Sequence, residues 1–239
     1  MSTLRVAIVM PARNEEAAIG RVLDEIPRSL VAAIVVVDNG STDRTAEVAR
    51  ARGATVVHEP SPGYGVACLA GVRRTDDSID VVVVLDADHS DYPDDLPLLL
   101  APIAAGEADF VIGSRVLGGA APGSLPWNQR FGNWLACRLM RILYGARFTD
   151  MGPFRAIRRD ALLAMRMRDR TFGWNVEMQA KAVIAGLRIR EVPVRYRPRI
   201  GRSKISGTVG GTIRAGIKIL GTMVVYYPEY RRTRRQGKR

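Results

Sequence analysis

The chain of 239 residues is 47% hydrophobic and 25% charged, long enough to bury one sizeable core and too apolar to stay disordered. Its two cysteines, Cys68 and Cys137, lie in apolar segments and read as buried thiols, which excludes a disulfide framework or a zinc site. Of 36 Lys/Arg, 14 fall within residues 190–239 beside only Glu191 and Glu229, so a charge-balanced body carries a basic end that accounts for the net +12; such an end suits an anionic membrane surface or nucleic acid.

The run Val6–Met10 predicts a buried strand. It is too short for a secretory h-region and is cut off by Pro11, so a cytoplasmic location is expected. Asn14 is placed to cap a helix carrying Ala17, Ile19, Val22, Leu23 and Ile26. A second strand, Ala33–Val37, ends in Asp38-Asn-Gly-Ser41-Thr-Asp43, with Ser41 or Thr42 capping the next helix. Ala54–His58 predicts a third strand, Gly63–Arg73 a glycine-opened helix, and Val81–Leu85 a fourth strand running into Asp86-Ala87-Asp88. A fifth strand, Asp109–Gly113, leads to Arg115 and a Gly/Pro-rich lid or connection, Gly118–Pro126. Helices are expected over Phe131–Tyr144 and Trp174–Ala185, a loop over Thr149–Arg155, and a strand over Leu187–Tyr196. From Thr212 the pattern becomes that of an amphipathic helix with Arg214 and Lys218 four apart. No stretch of 18 uncharged residues occurs, which argues against a spanning helix.

Strands of continuous Val and Ile alternating with helices predict an α/β fold, a mostly parallel sheet covered on both faces. Ligands of such sheets bind beyond the carboxyl ends of the strands, which gathers Pro11–Glu15, Asp38–Asp43 and Asp86–Ser90 along one edge. There Asp86 and Asp88 offer hard oxygen donors suited to Mg²⁺ or Mn²⁺ shared with a diphosphate, although paired aspartates also cap turns. Asp38 can accept hydrogen bonds from a base or ribose or cap the helix near Ser41, and Asp43 reads as part of that cap. Gly63-Tyr-Gly65 reads as a helix-start turn. Glu177 is placed either to meet sugar hydroxyls or to lie on a helix surface; His58 and His89 receive no catalytic role.

In order, the chain shows Pro11-Ala-Arg-Asn14-Glu15, Asp38-Asn-Gly-Ser41-Thr-Asp43, Asp86-Ala-Asp88, Gly113-Ser-Arg115, Asp150 with Gly152-Pro-Phe-Arg155, and Gly201-Arg-Ser-Lys204. Over residues 5–206 this set resembles the dolichyl- or polyprenyl-phosphate sugar synthases, a branch of the family 2 inverting glycosyltransferases with the GT-A fold. The resemblance implies that Pro11, Ala12, Asn14, Glu15, Asp38, Asp43, Asp86 and Ala87 border the nucleotide of the donor. It further implies that Asp86 and Asp88 hold Mg²⁺ or Mn²⁺, that Asp88, Arg115, Arg202 and Lys204 are catalytic, and that Arg130, Asp150, Arg155 and Ser203 serve the phosphates and acceptor. Two positions depart from the family: Asn39 where Asp is common, and Ser90 where a Gln ligand often stands.

The expected division is a catalytic domain over 1–206 and an amphipathic helix with basic tail over 207–239, a membrane-surface element that would make the protein peripheral on the cytoplasmic face. The expected reaction moves a hexose from a GDP- or UDP-linked donor to a polyprenyl phosphate, with a soluble small molecule or glycoside as the alternative acceptor. A phosphate monoester is already ionised at neutral pH and needs no general base. A nucleotidyltransferase of the same fold would carry a Gly-rich phosphate loop after the first strand, which Pro11-Ala-Arg-Asn-Glu does not supply. A basic nucleic-acid-binding module would leave Asp38, Asp86 and Asp88 without a role, so no nucleic acid partner is expected.

Overall fold

The computed structural model describes residues 4–201 and 209–236. The chain runs through β1 (Val6–Ala12), α1 (Glu16–Glu25), β2 (Ala33–Asp38), α2 (Thr45–Ala51), β3 (Thr55–His58), α3 (Tyr64–Arg74), β4 (Val81–Val84) and α4 (Leu96–Ala104). It continues with β5 (Phe110–Ser114), α5 (Arg115–Gly118), α6 (Trp127–Tyr144), β6 (Arg155–Arg158), α7 (Arg159–Ala164), α8 (Trp174–Ile184), β7 (Ile189–Pro193) and α9 (Val209–Gln236). The strands form one sheet in the order β3-β2-β1-β4-β6-β5-β7. All neighbours are parallel except β6, which runs antiparallel to both β4 and β5.

The Val and Ile runs are continuous because both faces of the sheet are covered. Ile8, Val36 and Val83 pack beneath Ile19, Leu23 and Leu99 on one face. Val9, Val82, Phe110 and Ile112 meet Cys68, Trp174 and Met178 on the other. Gly71 lets α3 lie close to the sheet, since a Cβ there would collide with Val9 and crowd Val37. Gly63 and Gly65 have a related role. Gly63 has φ +144°, and a Cβ there would strike the Arg170 carbonyl, as one on Gly65 would strike that of Asp169; the start of α3 is held to this segment by Gly65 N–H donating to Thr171 O and Val66 N–H to Arg170 O.

Two local expectations are corrected. Asn14 is not the cap of α1: it adopts φ +54°, a left-handed conformation Asn tolerates, and α1 begins at Glu16 behind Glu15. Arg155, expected to end the loop over Thr149–Arg155, instead opens β6, the reversed strand inside the sheet.

Within the segment expected as an amphipathic, membrane-surface element, α9 packs against the body. Met223 and Tyr230 of α9 are buried with Ala136, Met140 and Tyr144 of α6 and Val176 and Ala180 of α8. The Tyr144 hydroxyl donates to the Met223 carbonyl at 2.5 Å, and Lys218 pairs with Asp169 at 2.9 Å. No helix among the described residues is long and apolar enough to cross a membrane.

Candidate active site

The carboxyl ends of β1, β2 and β4 open onto a cleft of about 310 Å³, lined among others by Pro11, Ala12, Glu15, Asp86, Ala87 and Asp88. These six expected site residues therefore meet in one place. Asn14, Asp38 and Asp43 instead hold the walls together. The Asn14 amide donates to Ser41 Oγ at 3.0 Å, and Thr42 N–H donates to Asn14 Oδ1 at 2.8 Å. Glu15 N–H donates to Thr45 Oγ1 at 2.8 Å, and Asp43 accepts from the amides of Glu16 and Thr45. The loops after β1 and β2 are thereby stitched into one unit.

Asp38 accepts from Ser41 N–H at 3.0 Å and faces His58 Nδ1 at 3.2 Å. Burial would raise its pKa, but the hydrogen bonds from Ser41 and the His58 contact hold it below the usual carboxylate range. Asn39, which sequence reasoning treated only as a lost carboxylate, lines the cleft and braces it. Its amide donates to the carbonyls of Glu59 at 2.9 Å and Ser61 at 2.7 Å, and its Oδ1 accepts from Gly63 N–H at 2.9 Å. A carboxylate has no N–H for the two carbonyls, which explains Asn at this position.

At the other end of the cleft, Asp86 accepts from the Tyr64 hydroxyl at 3.1 Å. Burial, and then the charge of Asp88, push its pKa up to about 7. Asp88 is oriented by Ser90, whose N–H and Oγ both donate to Oδ1, at 2.9 and 2.5 Å. Ser90 is thus directed at the carboxylate it follows. The other Asp88 oxygen forms an ion pair with Arg199. Nearby, Asp91 is buried with neither carboxylate oxygen partnered among the described residues, and burial together with Asp86 and Asp88 pushes its pKa well up.

This cluster fits a hard divalent cation. Burial and the charge of Asp88 make ionisation of Asp86 costly, and a guanidinium stands against Asp88 where positive charge is needed. Asp86 and Asp88 are the residues that could hold the ion, with diphosphate and water completing the shell.

Arg115 is fixed by Asp150, which accepts from its Nε at 2.8 Å, its Nη2 at 2.7 Å and its backbone N–H at 2.8 Å. Burial disfavours the guanidinium charge, but Asp150 more than offsets this and raises the Arg115 pKa. The guanidinium also lies over the Tyr196 ring, 5.0 Å from its centroid. Asp150, expected near phosphate, is fully buried behind Arg115 and serves as its anchor. Arg155 is also displaced from its expected role. It is fully buried, stacks over Phe110 and donates to the carbonyls of Gly152 and Asn175, so it braces the floor beneath the site. Arg130 is exposed on α6 and borders a separate recess beside Arg115. Arg202, Ser203 and Lys204 lie outside the described residues.

Glu177 is neither a sugar ligand nor a surface carboxylate. It is fully buried and accepts from the amides of Arg168 and Asp169 at 2.8 and 2.6 Å and from the Tyr226 hydroxyl at 2.5 Å. His89 pairs with Glu25 at 2.8 Å.

A second cavity of about 320 Å³ adjoins the cleft. Tyr64, Asp86, Phe172 and Arg199 line both. From this shared wall and Arg115, the groove runs out between α6 and α9 past Leu135, Ala136, Ile219 and Leu220. Arg199 and Tyr196 belong to the segment Arg195-Tyr-Arg-Pro-Arg199, whose arginines registered in the sequence only as basic charge. It is fastened to the loop after β4 by Arg197 N–H to Ser90 O and Ile200 N–H to Asp88 O, both 2.9 Å.

Known proteins share the sequence and fold of this chain. An uncharacterized glycosyltransferase of Mycobacterium tuberculosis is 42% identical over 209 residues, 87% of this chain and 93% of its own length. A dolichyl-phosphate hexose transferase of Haloferax volcanii is 39% identical over 209 residues, 86% of this chain and 89% of its own. The crystal structure of glucosyl-3-phosphoglycerate synthase from Mycobacterium tuberculosis with Mn²⁺, UDP and glucosyl-3-phosphoglycerate shares the fold, with a TM-score of 0.74 over 93% of this chain and 79% of that one at 24% identity. The model of the family described as Glycosyl transferase family 2 matches residues 7–165. That match takes in the strands that carry the Asp86-Ala-Asp88 pair, and the chain belongs to glycosyl transferase family 2.

Proposed function

We propose that the enzyme transfers a hexose from a nucleotide diphosphate sugar, GDP- or UDP-linked, to a polyprenyl phosphate at the cytoplasmic face of a membrane. The observation that carries this reading is the shared wall: the donor cleft and an apolar groove meet at Tyr64, Asp86, Phe172 and Arg199. A lipid chain fits the apolar walls of Leu135, Ala136, Ile219 and Leu220, while its phosphate meets Arg115 and Arg199 at the inner end. The named activity of the Haloferax relative supports the same acceptor class.

On this reading the acceptor phosphate oxygen forms a bond to the anomeric carbon as the bond from that carbon to the diphosphate oxygen breaks on the opposite face. The nucleoside diphosphate leaves and the anomeric configuration inverts. No proton has to be removed from the nucleophile. Mg²⁺ or Mn²⁺ held by Asp86 and Asp88 would neutralise charge on the leaving diphosphate. Arg115, locked by Asp150, supplies a pre-oriented cation whose position costs no rearrangement during transfer. The basic segment of residues 207–239 adds attraction to anionic lipid.

The test is a panel of GDP- and UDP-sugars with polyprenyl phosphate and divalent metal. Labelled sugar should enter the organic phase with one donor. Transfer only to a water-soluble phosphate or glycoside would remove the lipid acceptor from this account.

The Arg199–Asp88 pair gives a second expected result. In Arg199→Ala, Asp88 is free of its guanidinium partner, so Mn²⁺ affinity without nucleotide should rise about tenfold, the scale of a charge-assisted hydrogen bond. Titration followed by electron paramagnetic resonance measures this directly. Unchanged affinity would mean that Arg199 does not stand in the cation's place.

A further inference from the structure

We infer that α6 is a membrane-inserting element, its outer face forming an aromatic stripe that enters the interfacial layer of an anionic bilayer. The inference rests on the lipid-acceptor reading for its biological purpose, and on independent observations for its physics. Trp127, Phe131, Trp134 and Ile142 are 80%, 55%, 57% and 66% exposed. At 3.6 residues per turn, spacings of four, three and eight put them on one side of the helix. Ala136, Met140 and Tyr144 occupy the side turned to the core. The rings of Phe131 and Trp134 lie 5.8 Å apart between centroids, so the outer face carries a contiguous aromatic surface.

A soluble helix has polar residues on its outer face. Here two tryptophans and a phenylalanine stand there, the side chains that favour the boundary between headgroups and acyl chains. The charge around them selects the occupant. Residues 110–149 contain no Asp or Glu and five arginines, Arg115, Arg130, Arg138, Arg141 and Arg147. Arg130, Arg138 and Arg141 are exposed on α6 and make no ion pair with an acid among the described residues. An apolar face with cations on its border at Arg130 and Arg141 and one within it at Arg138, between Trp134 and Ile142, complements an anionic lipid surface.

The position of the stripe supplies its consequence. Asn128, Gly132, Leu135 and Ala136 of the same helix line the groove that ends at Asp86 and Arg115. Seating α6 in the interface therefore brings the groove mouth to the acyl layer, and a lipid can enter from its own phase without passing through water. This assigns α6 a role beside that of the basic end of the chain, with insertion as well as electrostatic attraction.

The chain's three tryptophans make the test direct, because Trp174 is fully buried while Trp127 and Trp134 are not. Full-length protein is mixed with vesicles of phosphatidylcholine and phosphatidylglycerol that contain brominated acyl chains and no acceptor lipid. Fluorescence of the wild type should be quenched. Trp127→Ser/Trp134→Ser, which retains Trp174 alone, should show no quenching and should bind vesicles at least about tenfold more weakly, the scale expected for losing a large apolar side chain from its apolar environment. A separate Phe131→Ser variant should also bind more weakly while its buried Trp174 emission and thermal melt remain those of the wild type. Absence of quenching in the wild type, or wild-type vesicle affinity in the variants, would overturn the inference. Concentration-dependent dimerisation that the stripe variants abolish, without vesicle binding by the wild type, would assign the face to a second copy and overturn it as well. Insertion without transfer to polyprenyl phosphate would remove only the acceptor reading; transfer in detergent without insertion would remove only this one.

Discussion

Asp88→Asn is expected to lower turnover by about a thousandfold while leaving the folded state intact, the loss typical when a preorganised electrostatic partner of a transition state is removed. The substitution keeps shape and retains an Oδ1 to accept from the Ser90 amide and hydroxyl. It removes the negative charge that faces Arg199 and that, with Asp86, makes the end of β4 an anionic pocket. Three readings separate the causes: turnover at saturating donor, Mn²⁺ affinity by electron paramagnetic resonance, and a thermal melt. Lost turnover with weakened Mn²⁺ binding and an unchanged melt supports the assignment. Near-normal turnover that is insensitive to chelator would sink it.

The second large effect concerns stability. Glu177→Ala should destabilise the protein by about 3–5 kcal/mol, because a buried charge network loses one partner and strands the other. Four donors converge on this carboxylate: the amides of Arg168 and Asp169, the Tyr226 hydroxyl, and the Lys181 ammonium at 2.9 Å. After truncation, Lys181 keeps the Arg166 carbonyl at 2.7 Å and the face of the Tyr226 ring, 5.0 Å from its centroid, but has no carboxylate partner among the described residues in its buried setting. A domain of this size shifts its Tm by about 2–4 °C per kcal/mol, so circular dichroism should show a drop on the order of 10 °C. Glu177→Gln keeps one acceptor and should cost about 1–2 kcal/mol. Because Glu177 also holds Tyr226, the Ala variant should loosen α9, seen as faster amide exchange there. A melt within 1–2 °C of wild type, on the same scale, would show that the network contributes little.

The position of the strand-end cleft was legible in the sequence because strand ends and turn residues are local signals. Continuous Val runs marked β2 and β4, and the polar residues directly after them fell where a parallel sheet presents its ligands. What could not be read there is direction and burial. Asp150 and Arg155 both stand in a motif-like stretch, yet one accepts from Arg115 and the other lies in the core; an isolated sequence does not say which side of a loop is covered. Strand β6 escaped because four residues flanked by arginines carry no alternating pattern, and its place between β4 and β5 comes from long-range pairing. Arg199 was hidden for a related reason. Among several arginines, only the hydrogen bonds that fasten residues 197 and 200 to the β4 loop bring one to Asp88.

The reversal of β6 has a consequence for how this chain is put together. Strands β5 and β6 are antiparallel neighbours, so everything between Ser114 and Arg155 is, topologically, the connection of one very long hairpin. That connection contains Arg115, the recess beside Arg130, helix α6 and one wall of the apolar groove. The cleft's β1, β2 and β4 residues precede it. The entropy of closing such a loop changes slowly with its length, by about 0.6 kcal/mol per doubling, and its two ends are held in register by the sheet whatever the excursion does. The chain thus separates the walls of its two adjoining cavities along its length: residues before Asp91 supply most of the strand-end cleft, and an insertion closed off by a two-strand clasp supplies much of the groove beside it.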